Sequence, residues 1–190
     1  MGYQVTGTDF SKRSVEFAKQ SALNKNLNIN YLYQNYLDMN LKDRFDFSVM
    51  IYCDYGVLSP DERRTILSRI FHHLNPGGKL LLDFFTIAKF NDFKEQQTWE
   101  FCSDGGFWRP DEYIALSGFY KYQDNVTLDL ITVISKEEIV PYYLWNTYFS
   151  KEHLIQEAKN IGFKVCAVFS DVAGRIYQSD SDTIAILLEK

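Results

Sequence analysis

The stretch from Phe45 to Phe85 admits few folds. Phe45-Asp46-Phe47-Ser48-Val49-Met50-Ile51-Tyr52 is a near-continuous apolar run, as a strand needs when a parallel sheet buries both its faces. Ser59 can cap a helix with Pro60 at its first position, and Glu62, three residues after Ser59, completes a capping box. Ile66, Leu67, Ile70, Phe71 and Leu74 then fall on one stripe. Asn75-Pro76-Gly77-Gly78 stops the helix, because proline cannot continue it and glycine accepts a left-handed turn. Lys79 to Phe85 is a second apolar strand. Strand, helix and strand with such short links form a βαβ unit.

The flanking segments extend this pattern. Tyr3 to Phe10 is β-rich and ends at Ser11, an N-cap for a helix from Lys12 to about Asn24. Asn28 to Gln34 reads as a short strand, and Tyr36 to Arg44 as a polar connection. Several such units predict a Rossmann-like, doubly wound α/β sheet, mostly parallel. From Ala88 to Phe149 the pattern changes. Gln97–Ser103, Tyr113–Tyr122, Val126–Lys136 and Ile139–Thr147 read as strands, and the breaks at 123–125 and 136–138 are short enough for antiparallel hairpins. The chain is thus expected to be a single domain, with a core of residues 1–87 and 150–190 and an antiparallel β insertion at 88–149. Ser150 caps a helix from Lys151 to Ile161 that ends at Gly162. Phe163–Ser170 and Thr183–Leu188 are the last strands, joined by a polar linker.

Composition narrows the function. A formal charge of −5 argues against a nucleic-acid backbone as partner. The 3 cysteines are far apart and lack metal-type spacing, so no disulfide framework or metal site is expected. No signal-peptide pattern or membrane-length apolar run is present, so a cytoplasmic location without a membrane partner is the expectation. The 15 Phe, 13 Tyr and 3 Trp are unusual, and about half of them lie in the insertion. Strands favour aromatics, so most of these belong to packing.

The pieces Val5-Thr6-Gly7-Thr8-Asp9-Phe10-Ser11, Tyr36-Leu37-Asp38, Phe45–Tyr52, Ile51 to Ser59, and Leu74-Asn75-Pro76-Gly77-Gly78-Lys79 to Asp83 follow in order. In that order the chain resembles the class I S-adenosylmethionine-dependent methyltransferases, within a bacterial subgroup of small-molecule type. The resemblance spans essentially the whole chain and implies S-adenosyl-L-methionine as cofactor and a small molecule as methyl acceptor. It implies that Asp9 accepts hydrogen bonds from the cofactor's ribose, with Phe10 on the adenine face. Asp38 would accept from the adenine amino group while Leu37 or Met39 packs on the ring. Each carboxylate also has a plain alternative in bonds to its own backbone. Tyr52 would border the cofactor. Asp54 and Tyr55 would orient the acceptor or take its proton, although Asp54 equally suits the start of the turn into Ser59. Cys53 as a nucleophile is not expected, because no histidine partner is suggested.

The insertion is expected to act as a lid, its aromatics facing the cofactor's sulfonium and the acceptor, with Trp108 and Tyr143 lining the pocket. His72 and His73 are adjacent on a helix, cannot share one site, and read as surface residues. His153 reads as surface too, and Arg175 in the polar linker suits either contact with an acidic group or solvent exposure. A homodimer is compatible with all of this.

One departure limits the resemblance. Family members open with a strand, a loop of Gly-x-Gly-x-Gly type and a helix ahead of the segment that begins here. The expectation is a truncated chain, a start assigned too late, or a strand supplied by another chain. Two internal sheet edges would then lack partners, and cofactor binding would be weak or absent. The alternatives are a non-catalytic methyltransferase-like interaction module and, with less support, a nicotinamide-dependent dehydrogenase.

Overall fold

The computed structural model describes residues 2–190; Met1 lies outside them. Strand β1 (Val5–Asp9), helix α1 (Lys12–Asn24) and strand β2 (Ile29–Tyr33) open the chain. They are followed by β3 (Phe45–Met50), α2 (Pro60–His73) and β4 (Leu74–Phe85). A short helix α3 (Ile87–Asp92) leads to β5 (Gln96–Cys102), β6 (Tyr113–Tyr122), β7 (Val126–Ile134) and β8 (Ile139–Thr147). Helix α4 (Lys151–Ile161), β9 (Lys164–Phe169) and β10 (Thr183–Glu189) complete it.

β1 pairs with β2 in parallel and β3 with β4 in parallel, whereas β10 is antiparallel to both β4 and β9. The core sheet has the order β3-β4-β10-β9, and β1-β2 forms a separate two-stranded piece. β1 and β3 thus each keep one edge without a strand beside it among the described residues. The long run through β3 departs from the expected burial on both faces. Ser48 and Met50 are half-buried, while Phe47, Val49 and Ile51 remain exposed on the other side. The pleat sends alternate residues to opposite faces, and only one face of this strand meets the core.

The helix signals act as expected. The Ser59 N–H donates to Glu62 Oε2 at 2.8 Å, and Ser59 Oγ accepts from the Glu62 N–H. Helix α4 starts on Ser150 Oγ and ends at Gly162 with φ 114°, a conformation that costs an L side chain energy. The Asn-Pro-Gly-Gly corner is already part of β4, longer than the expected Lys79–Phe85. Its register is held at the far end of the chain, where Gly77 N donates to Lys190 O and Lys190 N to Gly78 O. A Cβ on Gly78 would lie 2.9 Å from Asn75 O, so the corner has room only for glycine.

Helices α2 and α4 cover one face of the core sheet. Ile66, Leu67 and Ile70 of α2 and Leu154 and Ala158 of α4 meet Leu80, Leu82, Phe84, Ile184 and Ile186. Each fully buried aliphatic side chain contributes about 1.5–3 kcal/mol. Beneath the helices lies a charged tie. Arg63, 3% exposed, donates from Nε and Nη2 to Glu157 and from Nη1 to Leu58 O, and its guanidinium lies over the Phe149 ring.

His73 corrects the sequence expectation. His72 is exposed, but His73 is buried. Its Nε2 accepts from Leu41 N at 2.9 Å and its Nδ1 meets Arg69 O at 2.8 Å. The ring thereby pins the polar connection at 36–44 onto α2, a contact across 32 residues that no local pattern reveals. His73→Ala is expected to cost about 1–2 kcal/mol, since Leu41 N loses its partner. Urea unfolding against wild type measures it.

The four strands β5–β8 form their own antiparallel sheet, turned at Asp124 and Asn125 in the left-handed region. Helix α3, six residues capped by Thr86, is too short to produce a periodic signal. Among the described residues no helix is long and apolar enough to cross a membrane.

Candidate cofactor and acceptor site

In open α/β sheets, ligands bind beyond the carboxyl ends of the strands, where the strand order reverses. Here the ends of β1, β2 and β3 bring Asp9, the turn at Tyr36–Met39 and the segment Tyr52–Tyr55 to that edge.

Asp9 closes β1 half-buried. Its Oδ1 accepts from Ser11 N at 2.6 Å, which starts α1 and leaves Oδ2 uncommitted. Phe10 projects outward, 66% exposed. The turn after β2 is a single 3-10 turn, Tyr36–Asp38, capped by Asn35 through Leu37 N at 2.9 Å. Asp38 is exposed, Leu37 half-buried against the core and Met39 buried within it.

After β3 the backbone takes an unusual path. Tyr52 has φ 80° and Cys53 φ 60°, two consecutive non-glycine residues in the left-handed region. Such conformations cost energy and persist where surrounding contacts impose them. The contact here is Asp83: buried at the end of β4, its Oδ1 accepts from Cys53 N at 2.8 Å. The consequence is a Tyr52 side chain 94% exposed at the strand end and a Cys53 turned inward. Burial, with the Asp83 charge adding to it, pushes the Cys53 thiol up to about 12. A thiol this hard to ionise is no nucleophile near neutral pH. Because the folded pKa lies above the ordinary value, the stability linked to this thiol is intact below about pH 9 and is lost as pH rises from there towards 12. In native protein at pH 8, Cys53 is expected to react with iodoacetamide at least ~100-fold more slowly than the exposed Cys166, read by peptide mass spectrometry.

Tyr36 joins the two halves of the site, and no local pattern in the sequence marks it. Burial raises its phenol above the ordinary range, and Asp54 raises it further through its charge and a hydrogen bond, with Glu62 and Asp9 adding smaller effects. The hydroxyl therefore stays protonated, with the Asp54 and Asp9 charges both near enough to act on it. Tyr55 departs from its expected place beside Asp54. It is 1% exposed, packs against Phe84 and Phe149, and donates to Glu157 Oε2 at 2.6 Å. Its hydroxyl braces the core beneath the edge, because the turn at 54–57 carries Tyr55 inward.

The insertion separates the two aromatics expected to share a pocket. Trp108 stacks on Tyr142 at 4.5 Å, on the face that buries Tyr113, Ala115, Ile131 and Val133. Tyr143 is the next residue along β8 and pairs with Leu130, so it points to the opposite face. The inner face instead holds Thr127, Asp129 and Ile131. Thr127 Oγ1 lies 3.2 Å from the Tyr148 hydroxyl, and the Tyr148 ring stacks on Phe85 at the end of β4. Burial raises the Tyr148 phenol, and Asp129 and Cys53 are both near enough to raise it further. Asp129 Oδ1 is buried without a hydrogen-bond donor, and burial raises its carboxyl too.

Asp9 at the end of β1, Asp38 in the turn after β2 and a core sheet that ends in antiparallel strands stand in the order that resembles the class I S-adenosylmethionine-dependent methyltransferases. Comparison with known proteins agrees: residues 1–78 match the family model of the methyltransferase domain, and the chain has the fold of the S-adenosylmethionine-dependent methyltransferases. It is similar to an S-adenosylmethionine-dependent methyltransferase from Clostridium acetobutylicum, with TM-score 0.78 and 12% identity over 98% of this chain and 75% of that one. The CcbJ methyltransferase from Streptomyces caelestis matches with TM-score 0.74 and 16% identity over 97% and 74%. The amino pentose methyltransferase CalS10 from Micromonospora echinaspora, solved with S-adenosylmethionine bound, matches with TM-score 0.59 and 16% identity over 98% and 73%. No curated protein matches in sequence.

Proposed function

We propose that this chain carries the adenosine-binding half and the acceptor lid of an S-adenosylmethionine-dependent methyltransferase acting on a small molecule. The observation that carries this is the uncommitted Asp9 oxygen at the end of β1, together with the exposed Asp38 in the turn after β2 and the Tyr52–Cys53 turn after β3. The residues suit an adenosine. Asp9 Oδ2 is free to accept from ribose hydroxyls, and Asp38 from an exocyclic amine. Phe10 offers an exposed ring and Leu37 an aliphatic edge. Met39 is committed to the core, so Leu37 is the better partner for a base.

When bound, S-adenosylmethionine supplies a methyl group already activated on a sulfonium. The protein's work is then proximity, alignment and exclusion of water. Asp83 holds the Tyr52–Cys53 turn in place, and the protonated Tyr36 hydroxyl lies close to Asp54. Asp54 is the residue we assign to orienting the acceptor or taking its proton.

Asp129 favours a basic acceptor. A buried carboxylate oxygen without a donor gains most from an N–H or a cation. An amine on a sugar or small peptide supplies one. Two structural neighbours support this: CalS10 is an amino pentose methyltransferase and MtfA a glycopeptide N-methyltransferase. Asp129→Asn is expected to raise the acceptor KM about 10-fold with little change in kcat.

The sequence contains no Gly-x-Gly-x-Gly segment, and β1 and β3 each have one edge without a strand beside it among the described residues. The methionine part of the cofactor thus lacks the usual cradle of backbone donors among the described residues. Binding by these 190 residues is expected to be weak, with Kd above about 100 µM. Isothermal titration with S-adenosylmethionine decides it: micromolar affinity overturns the weak-binding claim. Absence of any adenosine signal in millimolar saturation-transfer NMR overturns the site. The open edges of β1 and β3 also suit a second reading, a non-catalytic binding module that accepts a strand from a protein partner. A stable protein partner without methyl transfer to any amine tested supports that alternative.

A further inference from the structure

Residues directly paired across antiparallel strands share a face, so the β5–β8 sheet sorts its side chains by register. One face is the inner one, with Tyr113, Ile131 and Asp129. The other holds Trp99, Phe101, Leu116, Ile139, Tyr143 and Trp145, every one of them exposed. Trp99 is 71% exposed and Ile139 66%, at opposite edges of the sheet. Not one Asp, Glu, Lys or Arg occurs at any paired position of this face, whereas the inner face carries Glu100, Lys121 and Asp129. A solvated sheet face alternates polar residues outward, and this one does not.

We propose that a second copy of the chain docks on this face, giving a two-fold homodimer in which the two insertion sheets pack face to face. Size favours it first. Four strands ~4.8 Å apart with about 3.3 Å per residue present a patch of roughly 19 by 30 Å, or about 570 Å² before side-chain relief. Side-chain relief brings the accessible area close to the ~800 Å² per partner of a standard interface. That is also larger than the apolar patch a monomer ordinarily tolerates. Charge favours it too. Each chain carries a net −5, and two copies meet here without placing a like charge opposite another. Composition agrees, since an aromatic, uncharged centre is the pattern of homodimer interfaces. An isologous contact needs a single self-complementary patch, and two twisted sheets meet that need when aligned about 30° apart with ~10 Å between them.

The dimer needs the insertion alone and is independent of cofactor or acceptor. Sedimentation equilibrium of the 190-residue chain between about 1 and 100 µM tests it. Wild type is expected at twice the 22.3 kDa chain mass. Trp145→Lys and, separately, Ile139→Lys are expected to weaken association at least ~100-fold, with unchanged far-UV circular dichroism. Leu144→Lys alters an equally exposed position on the inner face and is expected to leave the dimer intact. A wild-type chain that stays monomeric at the highest concentration overturns the proposal. So does a dimer that survives both Trp145→Lys and Ile139→Lys.

Discussion

Glu157→Ala is expected to destabilise the protein by about 3–5 kcal/mol, a large share of the total stability of a domain this size. The cause is what it leaves behind. Arg63 is 3% exposed and aims Nε and Nη2 at Glu157, with N···O distances of 2.9–3.3 Å. Without that carboxylate a guanidinium remains buried against Leu58 O and the Tyr55 and Phe149 rings, with no counter-charge. The Tyr55 hydroxyl loses its acceptor at the same time. Removing both charges tests the cause. The double variant Arg63→Met, Glu157→Leu is expected to recover most of the loss, because a buried pair replaced by apolar groups of similar volume is often neutral. Urea unfolding of the three proteins gives the comparison. A double variant as unstable as Glu157→Ala rules out the buried charge as cause and points to packing at the α2–α4 contact instead.

Asp9→Ala is expected to weaken binding of the cofactor's adenosine part about 10- to 100-fold, from the loss of hydrogen bonds to a charged acceptor. The variant also loses the 2.6 Å bond that starts α1, so a local structural effect must be separated from ligand contact. Asp9→Asn does this, since the amide oxygen still accepts from Ser11 N while the charge is gone. Affinity lost in both variants, with unchanged helicity, supports the ribose role. Full affinity in Asp9→Asn assigns Asp9 to the cap alone. Saturation-transfer NMR at millimolar S-adenosylmethionine reads the difference even where affinity is low.

These two residues differ in how far sequence exposes them. Asp9 is legible because a strand ending in an acid and followed by a helix cap is a local pattern. Glu157 is not, because its partner lies 94 positions away and it reads in sequence as one of several charges on a helix face. His73 and Tyr36 fail to show for the same reason. A histidine beside another histidine looks solvated until Leu41 N is found on its ring, and a turn tyrosine looks ordinary until burial and the nearby Asp54 charge raise its phenol. Tyr55 and Asp54 are neighbours in sequence, yet the 3-10 turn sends one to the core and leaves the other at the edge. Trp108 and Tyr143 illustrate a different limit. Tyr142 and Tyr143 are both aromatic, so alternation along β8 cannot say which face is inner until the register with β7 is known.

The sequence by itself determined the order of the elements other than α3, the helix starts at Ser11, Ser59 and Ser150, the Pro-Gly-Gly corner and the family resemblance. All of these rest on interactions within a few residues: caps, turns and apolar period. Only the tertiary structure decided which charges are paired in the core, which carboxylates stay free at the strand ends and which face of the insertion is bare. Those depend on pairings between distant segments, and a side chain's chemistry is set by the neighbours that burial brings to it.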